Sequence, residues 1–203
     1  DRFKCVGWER DEKDKLKPRK ADLSSAMDPE KLARDAVDLN LKLMRWRQAP
    51  ALHVDAISKS KIVLVGAGTL GCSVARTLLG WGVRNITFID DGRVSFSNPA
   101  RQSLFTFEDC LDGGKPKARA AAERLKAIVP DINANYIEMR VPMPGHAVAE
   151  SERAEVLESI DTLEREIKSA EAVFLLTDTR ESRWLPTLLC TAHNIQCYNC
   201  ALG

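Results

Sequence analysis

Residues 61–72, with the sequence KIVLVGAGTLGC, restrict the fold of this 203-residue chain more than any other segment. The four apolar residues 62–65 predict a buried parallel strand, because no polar face alternates with them. Gly66, Gly68 and Gly71 follow as a Gly-x-Gly-x-x-Gly turn, and apolar residues at helical spacing come after it. Such a turn lets a phosphate approach the N–H groups at the start of a helix. The segment therefore predicts a nucleotide-binding site.

A carboxylate completes this pattern. The next predicted strand, residues 85–90, ends in Asp90, nineteen residues after Gly71. In nucleotide-binding units of this kind, an acid at that position binds the ribose hydroxyls. The identity of the nucleotide does not follow from the turn alone.

Strands and helices alternate through the rest of the chain. The predicted helices are about 29–47, 117–128, 150–170 and 182–193, and the further predicted strands are 134–141, 172–177 and 195–201. We therefore predict an α/β fold, a Rossmann-like open and mostly parallel sheet with helices on both faces. Residues 1–27 are dominated by charge and are predicted to be a linker or exposed arm, with the domain itself in residues 28–203.

Composition argues against several classes of protein. Thirty Lys and Arg against 29 Asp and Glu give no support for a nucleic-acid-binding or membrane-surface protein. No apolar run approaches the roughly 20 residues of a transmembrane helix. Six cysteines, mostly in predicted strands or helices, indicate reduced thiols. We expect a cytoplasmic protein.

Charged and polar residues follow the predicted strands at the edge where such sheets bind ligands. Asp178 ends the strand 172–177 and suits Mg²⁺, which binds through one or two carboxylates together with phosphate oxygens. Arg101 and Lys117 suit a polyphosphate whose charge rises in a transition state. Asn98 and Gln102 lie in the same loop as Arg101. This set favours nucleoside triphosphate chemistry.

Other interpretations of these residues stay open. A nicotinamide-dependent oxidoreductase would need a group that handles the hydride, but His53, His146 and His193 have no motif around them. Arg101 and Lys117 could be ordinary surface cations, and the aspartate after strand 172–177 could cap the helix that follows.

The sequence resembles the E1-like activating-enzyme superfamily and, within it, the autophagy E1-like enzymes, over almost its whole length. The segments that carry the resemblance are 27–29, 37–44, 66–72, 80–84, 97–99 with Arg101 and Gln102, 107–110, 114–117, 142–146 and 178–186. The arginine–glutamine loop, the Gly-Lys-Pro-Lys turn and the Asp-Thr-Arg-Glu-Ser run are together highly specific.

The resemblance implies ATP- and Mg²⁺-dependent adenylation of the C-terminal glycine of ubiquitin-like autophagy modifiers, with release of pyrophosphate. It further implies a thioester on a cysteine outside this chain, transfer to an E2-like conjugating enzyme, and a homodimer. Residues 28–203 would then be the N-terminal part of an adenylation domain, and we expect the fragment alone to lack full activity. The resemblance also implies the role of each site residue: Gly66, Gly68 and Gly71 face the phosphates, Asp90 holds the ribose, Asn98, Arg101 and Lys117 neutralise the triphosphate, Gln102 supports their loop, and Asp178 places the metal.

Two points stay open at this stage, and a third concerns a possible metal site. Related enzymes bring an arginine from an N-terminal helix, and Lys42, Arg45 and Arg47 are all near that position. A catalytically silent adenylation-like module that only binds partners stays an alternative to an active enzyme. Cys190, His193, Cys197 and Cys200 have zinc-like spacing. However, the last two lie three residues apart in a predicted strand, so their side chains should point to opposite faces. We expect no zinc site there, and we expect Cys72 to be a small packed residue.

Overall fold

The computed structural model describes residues 4–200. Its strands are β1 (Lys4–Arg10), β2 (Leu16–Asp22), β3 (Lys61–Val65), β4 (Asn85–Ile89), β5 (Asn133–Ile137), β6 (Ala172–Leu175) and β7 (Gln196–Asn199). Its α-helices are α1 (Pro29–Gln48), α2 (Val54–Lys59), α3 (Thr69–Gly80), α4 (Lys117–Ile128), α5 (Arg153–Lys168) and α6 (Glu181–Ala192). Short 3₁₀ turns cover Phe107–Cys110 and Glu150–Glu152.

Five strands form one parallel sheet in the order β5-β4-β3-β6-β7. Ile62, Leu64 and Phe88 pack on one face against α3 and α4. Val63 and Val65 pack on the other face against α5 and α6. The predicted Rossmann-like sheet with helices on both faces is confirmed. The strand order reverses between β3 and β6, so a ligand crevice is expected at their carboxyl ends.

Helix α1 lies at the opposite, amino edge of this sheet. It begins as predicted, with the Asp28 side chain accepting a hydrogen bond from the Glu30 N–H and proline at the first turn. Leu41 is its buried residue, and the Leu41 side chain packs on Gly82, just before β4. Asp38 lies 3.8 Å from Arg84, also just before β4. The middle of α1 is therefore on the far side of the sheet from the crevice.

The charged N-terminal region contains regular structure that the sequence did not predict. Strands β1 and β2 form an antiparallel hairpin whose strand residues are all exposed. Its turn is built on Asp11, whose side chain accepts hydrogen bonds from the N–H groups of Lys13 and Lys15. Because both faces are solvated, these strands have no clear alternation of apolar and polar residues, which is the signal that sequence reasoning uses.

Several predicted boundaries shift. The strand predicted over 134–141 ends at Ile137, because β5 pairs only with β4 and that partner ends at Ile89, opposite Ile137. Helix α5 begins at Arg153 rather than near residue 150, and the short helix α2 was not predicted. No helix in residues 4–200 is both long enough and apolar enough to cross a membrane.

Candidate nucleotide site

The glycine turn lies in the crevice between β3 and β6. Gly66 has φ +111°, a backbone conformation that side chains rarely adopt, and a Cβ there would come within 3.0 Å of the Leu176 carbonyl carbon. A Cβ on Gly71 would lie 2.2 Å from the Gly66 carbonyl oxygen. Gly71 therefore allows the start of α3 to pack directly on the turn, and Gly66 allows the turn to approach the backbone that follows β6. Close backbone packing of this kind explains why the chain has glycine at both positions.

The N-terminus of α3 is open. Gly68 is the N-cap residue and provides no side-chain hydrogen bond to the first turn. A Cβ on Gly68 would meet nothing within 4 Å, so free space lies above the turn. The unpaired N–H groups of a helix N-terminus carry partial positive charge. This end of α3 is suited to bind a phosphate group.

Asp90 supports the turn from the end of β4. Its Oδ2 accepts a hydrogen bond from the Ala67 N–H at 2.6 Å, and its Oδ1 accepts one from the Gly92 N–H at 2.7 Å. Each oxygen keeps a further acceptor position, because an ionised carboxylate accepts about four hydrogen bonds. The structure thus gives Asp90 a structural contact that the sequence did not predict, and its ribose role stays a prediction.

The loop predicted to carry three site residues folds over the same end of α3. Arg101 is exposed, and its Nη1 donates a hydrogen bond to Thr69 Oγ1 at 3.1 Å, which places the guanidinium beside the first residue of α3. Asn98 is 5% exposed, and its Oδ1 accepts a hydrogen bond from the Ser95 N–H. Gln102 is 3% exposed, and its Oε1 is buried without a hydrogen-bond partner. Asn98 and Gln102 therefore lie inside the loop, while Arg101 projects from it.

Lys117 reaches the site from the start of α4. Its N–H donates a hydrogen bond to the Gly92 carbonyl at 2.8 Å. A Cβ on Gly92 would lie 3.4 Å from Lys117 Cδ and 2.9 Å from Asp90 Oδ1, so the lysine stem and the aspartate flank the same glycine. The turn before α4 is joined to the segment after β4 by a further bond, from the Val94 N–H to the Lys115 carbonyl.

Asp178 lies on the opposite wall of the crevice. It follows β6, is exposed, and lines a cavity of about 260 Å³ together with Gly66 and Asp90. Met139, Val141 and Met143 line the same cavity. The sequence did not predict this apolar wall, because Met139 and Val141 belong to the strand predicted over 134–141 and Met143 had no predicted role in the site.

The structure thus arranges the predicted residues in three groups. Gly66, Asp90 and Asp178 share one cavity, with Lys117 behind Asp90. Arg101 lies at the N-terminus of α3 with Gly68 and Gly71. Asn98 and Gln102 are buried within the neighbouring loop. A ligand with an apolar ring system, a polar middle and an anionic end would match the apolar wall, the carboxylates and the helix N-terminus in turn.

One thiol lies beside the crevice: Cys72 is buried just after the glycine turn, with its Sγ 3.8 Å from the Ala67 carbonyl oxygen. Burial raises the pKa of the Cys72 thiol above its usual value. Burial and the neighbouring Cys197 raise the pKa of Cys190 to about 12. Cys197 packs on one face of the sheet and Cys200 on the other, as their spacing indicated, while His193 Nε2 lies 2.8 Å from Glu164 Oε1. The four residues of the zinc-like pattern therefore do not converge.

Comparisons with known proteins agree with the fold. A model of the ThiF family matches residues 39–202. The ubiquitin-like modifier-activating enzyme atg7 of Dictyostelium discoideum is 56% identical over 200 residues, covering 98% of this chain and 28% of its own length. The ubiquitin-like modifier-activating enzyme ATG7 of Homo sapiens is 53% identical over 202 residues, covering 98% of this chain and 29% of its own. The chain thus spans under a third of the length of these relatives.

Solved structures share the architecture at lower sequence identity. The E. coli tRNA N6-threonylcarbamoyladenosine dehydratase TcdA, solved in complex with ATP, has a TM-score of 0.60 at 20% identity, covering 77% of this chain and 56% of its own. A structure of E. coli MccB with MccA has a TM-score of 0.56 at 21% identity, covering 73% and 39%. At these identities the similarity is one of fold.

Proposed function

The chain belongs to the ThiF family, and from this membership we propose that it is the nucleotide-binding part of an enzyme that activates ubiquitin-like autophagy modifiers. In this proposal the enzyme binds ATP and adenylates the C-terminal glycine of the modifier, with release of pyrophosphate. The observation that carries the proposal is the shared crevice, in which Gly66, Asp90 and Asp178 line one cavity and Arg101 lies at the open end of α3. The names and high identity of the curated relatives support the choice of substrate.

The geometry suits ATP bound across the crevice. The apolar wall of Met139, Val141 and Met143 suits the base, Asp90 suits the ribose, and the N–H groups at the start of α3 suit the phosphates. The modifier carboxylate attacks the α-phosphorus and pyrophosphate leaves, so no protein nucleophile is needed. The contribution of the protein is to position the two reactants and to stabilise the charge that develops.

Mg²⁺ is proposed to bind at Asp178. Mg²⁺ needs one or two protein carboxylates and completes its coordination with phosphate oxygens and water. The Asp178 carboxylate meets this requirement. It lines the cavity, and no cation or N–H group in residues 4–200 forms an ion pair or hydrogen bond with it. When bound, the metal would neutralise charge on the leaving pyrophosphate.

The test is ATP–pyrophosphate exchange by the full-length protein. The proposal requires exchange that depends on ATP, on Mg²⁺ and on a ubiquitin-like modifier with a free C-terminal glycine. A nicotinamide-dependent oxidoreductase would bind NAD(H) and show no exchange. A silent binding module would bind the modifier without exchange. Either result would overturn the proposal.

We expect replacing Arg101 by alanine to lower kcat/KM for exchange about 100-fold, because its exposed guanidinium lies at the helix N-terminus proposed to bind the phosphates. Stability should change by less than about 0.5 kcal/mol, since the side chain is on the surface. Arg76→Ala is the matched control, an exposed arginine further along α3. Equal exchange by the two variants would remove Arg101 from the site.

The later steps are proposed for the whole enzyme. The modifier would pass from the adenylate to a cysteine thiol outside residues 1–203 and then to an E2-like conjugating enzyme. Within the described residues Cys72, Cys110 and Cys190 are buried, and their burial raises their pKa values, so they are poor candidates for the acceptor. A cytoplasmic location fits these reduced thiols.

The homodimer is proposed to form through α1. One face of this helix is apolar and exposed, with Leu32, Leu39, Leu43 and Trp46 in a single stripe, and Trp46 is 77% exposed. A helix face of this kind is suited to a protein partner. Because α1 lies at the amino edge of the sheet, Lys42, Arg45 or Arg47 would reach the nucleotide of the second copy rather than that of its own chain.

This arrangement predicts that Leu39→Glu combined with Trp46→Glu raises the dimer dissociation constant of the full-length protein at least about 10-fold, because charges would be buried in an apolar interface. Analytical ultracentrifugation measures the effect. Leu157→Glu is the control, because Leu157 is a similarly exposed leucine on α5. A dimer unaffected by the double substitution would place the interface elsewhere.

A further inference from the structure

We infer that Arg183 is the positioning residue of the Asp178 carboxylate, holding the loop after β6 so that this carboxylate faces the crevice. The inference rests on the proposed function, because it assumes that Asp178 places the metal. Arg183 was not among the residues predicted from the sequence. It lies in the first turns of α6, five residues after Asp178.

The Arg183 guanidinium joins two segments at the carboxyl edge of the sheet. Its Nε donates a hydrogen bond to the Thr179 carbonyl at 2.9 Å. Its Nη1 donates one to Asn199 Oδ1 at 3.0 Å. Thr179 directly follows Asp178, and Asn199 is the last residue of β7. A single side chain therefore fixes the position of the loop relative to the neighbouring strand.

Ser182, next to Arg183 on α6, holds the same loop at a second point. Its Oγ lies 2.7 Å from Thr177 Oγ1, 2.7 Å from Thr179 Oγ1 and 2.9 Å from the Thr179 carbonyl oxygen. Both neighbours of Asp178 are thus held from α6. Asp178 itself has no such partner in residues 4–200 and keeps its carboxylate free. Contacts that hold both neighbours of a binding residue order its surroundings before the ligand arrives.

The burial of Arg183 without an acid partner supports a role beyond packing. The residue is 6% exposed, and its Nη2 is buried without a hydrogen-bond partner. No carboxylate in residues 4–200 lies within ion-pair distance of it. A buried guanidinium that lacks an acid partner costs stability. Such a cost is typical of residues that serve a site rather than the core.

Arg84 provides a matched comparison. It is also largely buried and also has guanidinium nitrogens, Nε and Nη2, without hydrogen-bond partners. However, it faces Asp38 and Asp131 at the amino edge of the sheet, away from the crevice. Removing either arginine should perturb the fold, but only the loss of Arg183 should disturb the Asp178 loop.

The experiment measures ATP binding to the full-length protein by isothermal titration calorimetry, without modifier, once in Mg²⁺ and once in EDTA. The dissociation constant in EDTA divided by that in Mg²⁺ reports how much the metal contributes to ATP affinity. We expect Arg183→Met to reduce this ratio about 10-fold or more, the usual effect of losing a residue that orients a metal ligand. The affinity in EDTA should stay within about twofold, and Arg84→Met should leave the ratio unchanged. A purely structural role would instead lower the fraction of protein that binds.

Two further variants keep the test decisive if Arg183→Met does not fold. Ser182→Ala removes the second contact to the loop with a minimal change in volume, and it should lower the ratio in the same direction. If Asp178→Asn lowers the ratio but Ser182→Ala and any folded Arg183 variant match the wild type, the inference is overturned and the proposed function stands. If Asp178→Asn matches the wild type, the metal assignment itself fails, and the inference fails with it.

Discussion

Replacing Asp178 by alanine is expected to lower the rate of ATP–pyrophosphate exchange by about 10³-fold, because this change removes the carboxylate proposed to place Mg²⁺ beside the leaving pyrophosphate. The residue is exposed and has no side-chain partner in residues 4–200, so the thermal midpoint should shift little. Exchange of labelled pyrophosphate into ATP by the full-length enzyme, with modifier present, measures the effect.

Asp161→Ala is the control for this substitution. Asp161 is an exposed aspartate on α5, outside the crevice, and its loss changes the net charge by the same amount. Its exchange rate should stay within about twofold of the wild type, since surface substitutions rarely have larger effects. Unchanged exchange in the Asp178 variant would remove this residue from the mechanism.

The second large effect is expected for Gly71→Ala, in both stability and ATP binding. The added methyl group would lie 2.2 Å from the Gly66 carbonyl oxygen, a backbone atom at the centre of the turn. To relieve this contact, α3 must move away from the turn, so we expect a loss of about 3 kcal/mol or more in the free energy of unfolding. ATP binding should fall below detection, because the N–H groups of the helix N-terminus would be displaced.

The same helix offers a control for the glycine substitution. A Cβ on Gly80, the last residue of α3, meets nothing within 4 Å. Gly80→Ala should therefore leave ATP binding unchanged and leave stability equal or raised by up to about 1 kcal/mol, because alanine favours the helix. Chemical denaturation and calorimetry compare the two variants. A Gly71→Ala protein with wild-type stability would show that the turn is not packed as described.

The sequence predicted the fold well where the signal was local. The apolar run before Gly66 and the glycine spacing identified β3 and α3, and Asp28 with Pro29 identified the start of α1, because each feature acts over a few neighbouring residues. The hairpin over 4–22 was missed because it has no such local signal. Its strands are stabilised by pairing with each other rather than by a buried apolar face, so their pattern carries little information.

The site, like the fold, was predicted where the signal was local and missed where it depends on contacts between distant segments. The rule that ligands bind at the carboxyl ends of the strands correctly grouped Gly66, Asp90 and Asp178 around one cavity. It did not identify Met139 as a lining residue, because the end of β5 depends on where its partner β4 ends. Nor could it identify Arg183, whose two acceptors are Thr179 and the distant Asn199.

The sequence by itself determined which residues are candidates for the chemistry, because glycines, carboxylates and cations at fixed spacings have the same chemical properties wherever they are placed. The tertiary structure alone decided where these residues lie and what they contact. It turned the Asp90 carboxylate onto the backbone of the glycine turn, buried Asn98 and Gln102 inside their loop, and left Arg101 exposed at the start of α3. The physical reason is that hydrogen-bond partners and burial arise from contacts between segments that are far apart in the chain, and no local pattern records them.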